Sequence, residues 1–548
     1  MVVTRDKEDP EAKEGPMENE PRIVKLLRRK NKGLLQRLFF SRLGVIALLI
    51  VLQLLLFLLF AAWFRQYLTH YEVVRGIFTM AMVIYLFNSS MDSSAKLTWL
   101  MIIAVAPFFG TNFLLFSKLD FGHNALHDKV EEMMRRSKNI LPQNESVLQE
   151  LEHDPYGTED LHRYVNREGC FPVYDDTDVT YFPLGEQKFA AMLEELGKAE
   201  KYIFMEYFII EEGTMWGRIL DVLERKVKQG VDVRVMYDGM CEISTLSFDY
   251  AERLGKLGIK AKAFSPVRAF ISTHYNYRDH RKILSIDGKV AFTGGVNLAD
   301  EYINKVERFG HWKDTAVMLK GGAAASLTLC FLQMWNVTET KPDFTICKEL
   351  AEKQKEVWTK DPGPQDKGFV MPYADSPLDG DKVGETIYMD LFNRATDYVH
   401  IMTPYLILDD ELETAIKYAA ERGVDVKLIL PGIPDKEMAW ALAKSHYRRL
   451  VEAGVRIYEY TPGFVHAKVA VSDGCRAVVG TINLDYRSLY HHFECAAYLY
   501  KVPCIPQIEE DFQNTLAQCR TVTDESITNE KVFMKLKGFI MKLVAPLM

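Results

Sequence analysis

The chain has 548 residues, 48% of them apolar, which leaves room for several domains with real cores. A formal net charge of −8 argues against a dedicated nucleic-acid binder, whose domain should be basic. The eight cysteines are scattered with no C-x-x-C spacing, so neither a zinc site nor a redox motif is indicated.

In chain order, residues 1–42 form a tail whose second half is basic. Residues 22–42 carry eight Lys or Arg and no acid, a composition suited to an anionic membrane surface. Residues 43–116 read as a membrane region. Segments 43–64 and 97–116 are uncharged and long enough to span a bilayer, the second with Pro107 and Gly110 inside it. Segment 73–87 is shorter, holds Arg75, and reads as an interfacial or re-entrant segment or as a third span. Basic residues on both flanks (Lys118, Lys129, Arg135 and Arg136 on the later one) put the N-terminus and the rest of the chain in the cytoplasm, which needs an even number of crossings. The expectation is a multi-pass cell-membrane protein with the region after the spans on the cytoplasmic face.

Residues 117–180 read as a connector with some helix. Two similar halves follow, 181–340 and 369–520, joined by a linker at 341–368 rich in Lys, Asp, Pro and Gly. In the first half 186–201 and 215–228 have helical apolar spacing, while 202–210 and 231–237 read as buried strands. In the second half 385–396 and 411–421 are helical, 398–408 contains a strand and 424–430 is another. Gly230-Val231-Asp232-Val233 matches Gly423-Val424-Asp425-Val426. Alternating strands and helices imply a layered α/β fold in each half. Residues 521–548 mix Val532, Phe533, Leu536, Phe539, Ile540, Leu543 and Val544 with four lysines, the pattern of an amphipathic helix on a membrane surface.

The chemistry lies in a pattern that occurs twice. His280-Arg-Lys282 and His466-Ala-Lys468 each run on to an aspartate, Asp287 and Asp473, as H-x-K-x4-D. Each copy continues through Asp-Gly, an apolar strand and a Gly-rich stretch ending in Asn297 or Asn483. On a strand the His and Lys of each copy share a face. The aspartates sit at hairpin turns and are expected to shape the turn or hold a cation. Two histidines and two lysines suit a phosphodiester. The lysines, with Asn297 and Asn483, stabilise charge on its oxygens without a metal. One neutral histidine attacks phosphorus and the other protonates the leaving alkoxide. Asp314 and Glu494, in parallel stretches after the motifs, are the expected orienting partners of the imidazoles.

These residues resemble the phospholipase D superfamily, whose signature is this duplicated motif. More closely, stretches such as Phe204-Met-Glu-Tyr-Phe-Ile-Ile210, Gly294-Gly-Val-Asn297 and Gly480-Thr-Ile-Asn-Leu-Asp-Tyr-Arg-Ser488 resemble the bacterial cardiolipin synthases. The resemblance implies two αβα sandwich repeats related by a pseudo-two-fold, preceded by transmembrane helices. It implies a membrane-bound phosphatidyl transferase making cardiolipin and glycerol from two phosphatidylglycerols, with no cofactor, no metal and no nucleic-acid partner. Its catalytic set would be His280, Lys282, Asp287, His466, Lys468 and Asp473, with Asn297, Asn483, Asp314 and Glu494 binding phosphate or orienting. A lipase or another phosphatidyl transferase is the alternative; a non-enzymatic scaffold fits poorly, since both motifs are complete. One departure stands out. Where the family often has Asn two residues before the second acid, this chain has His492.

Overall fold

A computed structural model describes residues 22–26, 55, 68–89, 91–118, 121–154, 158–169, 171–265, 277–358, 367–543 and 545–547. Among these, two large mixed sheets form the body. The first runs, edge to edge, through Asp178–Phe182, Ala316–Lys320, Val290–Gly294, Lys282–Ile286, Tyr202–Tyr207, Asp232–Asp238 and Lys260–Phe264. The second repeats this order with Phe369–Asp375, His492–Tyr500, Arg476–Gly480, Val469–Ser472, Tyr398–Met402, Asp425–Pro431 and Arg456–Tyr460, then adds Cys519–Thr521. In each, Tyr202–Tyr207 or Tyr398–Met402 pairs parallel with the strand that follows it and antiparallel with the motif strand.

Strand alternation explains the layering. From Tyr202–Tyr207, Ile203, Met205 and Tyr207 enter a core with Phe189, Met192, Trp216 and Ile219 of helices Gly185–Lys198 and Thr214–Lys228. Tyr202 and Phe204 enter a second core with Leu329, Phe331 and Trp335 of helix Ala324–Asn336. Helices therefore cover both faces, and such strands read as continuous apolar runs. The two sheets meet through their inner strands: Ala291, Val317 and Leu319 share one core with Ala477, Val479, Ala497 and Leu499.

Two expectations about the joints are corrected. The linker 341–368 contains a 14-residue helix, Thr345–Trp358, which buries Cys347, Leu350, Ala351 and Gln354 and leaves its charges outside. The charge density of a one-sided helix had masked its apolar stripe. The first repeat also begins earlier than residue 181, because Asp178–Phe182 is an edge strand paired to Ala316–Lys320.

The membrane region also differs from expectation. Segment 43–64 lies outside the described residues except for Leu55. The 73–87 segment belongs to a longer helix, Leu68–Phe87. Segment 97–116 is not one helix. It breaks at Ala106 (φ −136°, ψ 73°) into Ser93–Val105 and Pro107–Lys118. Pro107 disfavours helical backbone at the residue before it. The two pieces fold back, bringing the Trp99 and Phe113 rings to 5.4 Å, where a continuous helix would hold them about 21 Å apart. Among the described residues, no helix is long and apolar enough to cross a membrane.

Candidate active site

Two short strand pairs knit the halves together. Arg278–Asp279, just before the first motif, lies parallel to His492-Phe493, just before Glu494. Gly463–Val465, just before the second motif, lies parallel to His311–Lys313, just before Asp314. The register continues one residue further in each case, so each motif histidine meets the acid of the opposite half. His280 N–H donates to Phe493 O at 3.0 Å, and His466 N–H donates to Lys313 O at 2.7 Å.

The side chains follow. His280 Nδ1 lies 2.8 and 3.0 Å from the two Glu494 oxygens. His466 Nδ1 lies 2.7 Å from Asp314 Oδ2. A carboxylate only accepts, so Nδ1–H donates and Nε2 keeps its lone pair in each neutral ring. Both acids are fully buried and both rings nearly so. Thr481 Oγ1 donates to Glu494, and Thr315 N–H donates to Asp314 Oδ1 at 2.8 Å, which fixes the carboxylates in turn. Lys282 and Lys468 each reach back to the carbonyl oxygen of their own motif histidine. Phe208 stands edge-on to the His280 ring at 5.0 Å.

Burial sets the electrostatics. It drives the His280 imidazole well below its usual pKa, helped by the charges of Lys282, Lys468 and His466. His466 is lowered to about 4 by burial and Lys468, against the pull of Asp314. Burial also lowers Lys282 to about 8 and Lys468 to about 7, resisted chiefly by Glu494 and Asp314 respectively. Four cationic-type groups thus compete for few protons in a buried site, and an arriving anion would favour charge on the lysines and on one of the two imidazoles.

Other expected residues fall differently. Asp287 and Asp473, counted with the catalytic set by the motif, sit at the far ends of the motif strands from the histidines. Asp287 accepts from the N–H groups of Glu200, Lys201 and Tyr202, each at 2.8 Å. Asp473 accepts from those of Thr396, Asp397 and Tyr398, each at 3.0 Å. Both have left-handed backbone (φ 54° and 51°), which Asp tolerates in a turn. They tie each hairpin to the start of the neighbouring strand. Asp287→Ala strands three amides and is expected to cost about 2–3 kcal/mol of stability. Chemical denaturation should report that loss, while turnover per folded molecule stays of the parent's order.

Asn297 is also committed: its Oδ1 accepts from Ile209 N–H at 3.0 Å and its Nδ2 donates to Tyr302 OH at 2.9 Å. Asn483 is buried with its Oδ1 unpartnered. Sequence reasoning missed Lys188, a fully buried helix residue whose Nζ donates to Val296 O at 3.0 Å. Burial lowers it to about 7, with Asp314 opposing. It also missed Glu206, which pairs with Arg281, the middle residue of the first motif. Position 188 lies in an ordinary amphipathic helix and carries no local signal.

A duplicated α/β fold with one histidine–lysine unit per half, each imidazole oriented by the other half's acid, is the arrangement expected of the phospholipase D superfamily. Comparison with known proteins narrows this. The family profile "Cardiolipin synthase, PLD-like domain" matches residues 192–325 and 388–516. An uncharacterized protein of Streptococcus mutans is 56% identical over 85% of this chain and 99% of its own length. A cardiolipin synthase of Alkalihalophilus pseudofirmus is 32% identical over 90% of this chain and 98% of its own length. Among solved structures, a phosphatidylserine synthase of Haemophilus influenzae matches with a TM-score of 0.52 at 16% identity, covering 71% of this chain and all of that one, a likeness of fold. The chain belongs to the cardiolipin synthase family.

Proposed function

We propose that the protein transfers a phosphatidyl group from one phosphatidylglycerol to another, forming cardiolipin and glycerol through a phosphohistidine on His280. The observation that carries this reading is the crossed pair of buried imidazole–carboxylate couples beside two buried lysines. His280 Nε2 attacks phosphorus, an N–P bond forms and the P–O bond to glycerol breaks. His466, protonated once the lipid anion has entered, gives that proton to the departing alkoxide. The hydroxyl of a second phosphatidylglycerol returns a proton to His466 and its oxygen takes the phosphatidyl group, freeing His280. Lys282 and Lys468 hold the non-bridging oxygens throughout. His280 is taken as the nucleophile by resemblance to superfamily members whose first-motif histidine carries the adduct.

Membrane attachment is part of the proposal, with the N-terminus and the repeats on the cytoplasmic face. Supporting it, residues 22–26 lie on the first repeat: Val24 N–H donates to Gly217 O at 3.3 Å and Leu26 N–H to Glu212 at 3.2 Å. A tail bound to the catalytic repeat shares its side of the bilayer, so crossings between them come in even number. The C-terminal helix Val532–Lys542 rests on Glu437–Glu452, with Gly538 against the Ala441 carbonyl. Val532, Phe533, Leu536, Phe539 and Ile540 remain exposed. That face fits an anionic lipid surface, to which the helix's lysines are attracted.

The deciding experiment feeds radiolabelled phosphatidylglycerol to purified protein in liposomes. Cardiolipin with an equal amount of glycerol is expected. Phosphatidic acid would replace the reading by a lipase, and dependence on a different added alcohol or lipid by another transferase. The lowered lysines add a pH dependence. Lys468 must be charged to hold the anion, and it loses its proton as pH rises through about 7, Lys282 through about 8. kcat/KM is therefore expected to fall on the alkaline side from near pH 7–8, by about tenfold per pH unit for one group. A flat profile up to the ordinary lysine range would contradict these lysine roles.

A further inference from the structure

Beside the His280–Glu494 couple stands a third imidazole for which the reaction above has no use. His492 is 6% exposed, and its ring centroid lies 5.1 Å from that of His280. Neither of its ring nitrogens has a hydrogen-bond partner. Its Nδ1 stands 3.6 Å from Glu494 Oε1, beyond hydrogen-bond length. The pseudo-symmetric position, two residues before Asp314, is Trp312, whose ring lies 5.5 Å from that of His466. One corner of the site is thus walled by an indole and the other by a ring with a spare nitrogen.

One nitrogen from each of His280 and His492 and one oxygen of Glu494 lie within 4.8 Å of one another. Two imidazoles and a carboxylate are a donor set for zinc, whose bonds of roughly 2.0–2.1 Å at tetrahedral angles need donors only about 3.3 Å apart. We propose that His280, His492 and Glu494 bind a divalent transition-metal ion of the zinc type, and that its binding shuts the transfer reaction off. The proposal rests on His280 being the nucleophile.

The mechanism is a change of tautomer. In the active form Nδ1–H of His280 faces Glu494 and Nε2 holds the attacking lone pair. A metal ion between the couple takes the Nδ1 lone pair, so the ring's single proton moves to Nε2. No net proton is gained or lost, and the nucleophile disappears. Trp312 offers no lone pair, so His466 has no equivalent site.

The test uses full-length protein in detergent and two readouts. Titration calorimetry with zinc chloride measures binding, and zinc X-ray absorption measures nitrogen and oxygen ligands. Inhibition of phosphatidyl transfer is measured in parallel and reversed with a chelator. One zinc per chain with two imidazole ligands, and inhibition tracking occupancy, is the expected result. Magnesium should not compete, since it prefers all-oxygen octahedral sites. His492→Asn should weaken zinc binding, and raise the half-inhibiting concentration relative to that variant's own metal-free rate, by more than about tenfold. Equal zinc affinity in the parent and His492→Asn would overturn the proposal, as would full turnover with zinc bound. Calorimetry does not depend on which lipid is the substrate, so a failed zinc site and a wrong substrate give different patterns.

Discussion

Replacing His280 or His466 by alanine is expected to lower phosphatidyl transfer from phosphatidylglycerol by more than about four orders of magnitude. Neither loss should be reproduced by unfolding, which the melting transition of each variant checks. The double variant should be scarcely worse than either single one, because residues that act as a unit are not additive. The two losses have different causes, and a substrate with an activated leaving group separates them. A phosphatidyl ester of 4-nitrophenol releases a weakly basic phenolate that needs no proton. With that substrate His466→Ala should still give a burst of phenolate as the first step forms the adduct on His280. His280→Ala should give none. A burst from His280→Ala and none from His466→Ala would exchange the two roles. Equal bursts from both would remove the covalent step at either ring.

The duplicated motif and the two α/β halves were legible because their signals are local. Asp-Gly at 287–288 and 473–474 announces its hairpins, and Gly230 and Gly423, both at positive φ, end matching helices. The orienting acids could be named from parallel stretches, but not paired. Their pairing depends on two strands of two and three residues, Arg278–Asp279 and Gly463–Val465, whose partners lie more than a hundred residues away. Segments so short carry no periodicity to read. The aspartates were harder to weigh. They belong to the signature as a string, yet on a strand rising about 3.3 Å per residue they sit at the opposite end from the histidines. Pro107 and Gly110 carried a readable warning against a single span over 97–116, which hydropathy alone overrode. His492 was visible as a departure from a pattern; its meaning needed the ring beside it.

Glu494→Gln is expected to lower turnover by about three to four orders of magnitude while leaving the fold intact, the order found when a histidine's orienting carboxylate becomes an amide. The carboxylate accepts from His280 Nδ1–H at 2.8 Å and also receives Thr481 Oγ1. A glutamine has one acceptor oxygen and an amide that only donates. If the oxygen stays with Thr481, the amide faces His280 and its N–H must find a lone pair on Nδ1. The ring then carries its proton on Nε2 and loses the lone pair that attacks phosphorus. Removing the buried carboxylate also takes away the charge that opposes loss of the Lys282 proton. The loss should therefore fall on kcat, and persist with the nitrophenyl ester, since adduct formation itself is blocked. Asp314→Asn acts on the other ring, at 2.7 Å from His466 Nδ1, and should be relieved in the burst by the activated leaving group. Were both amides relieved alike, the crossed couples would not divide the labour between nucleophile and acid.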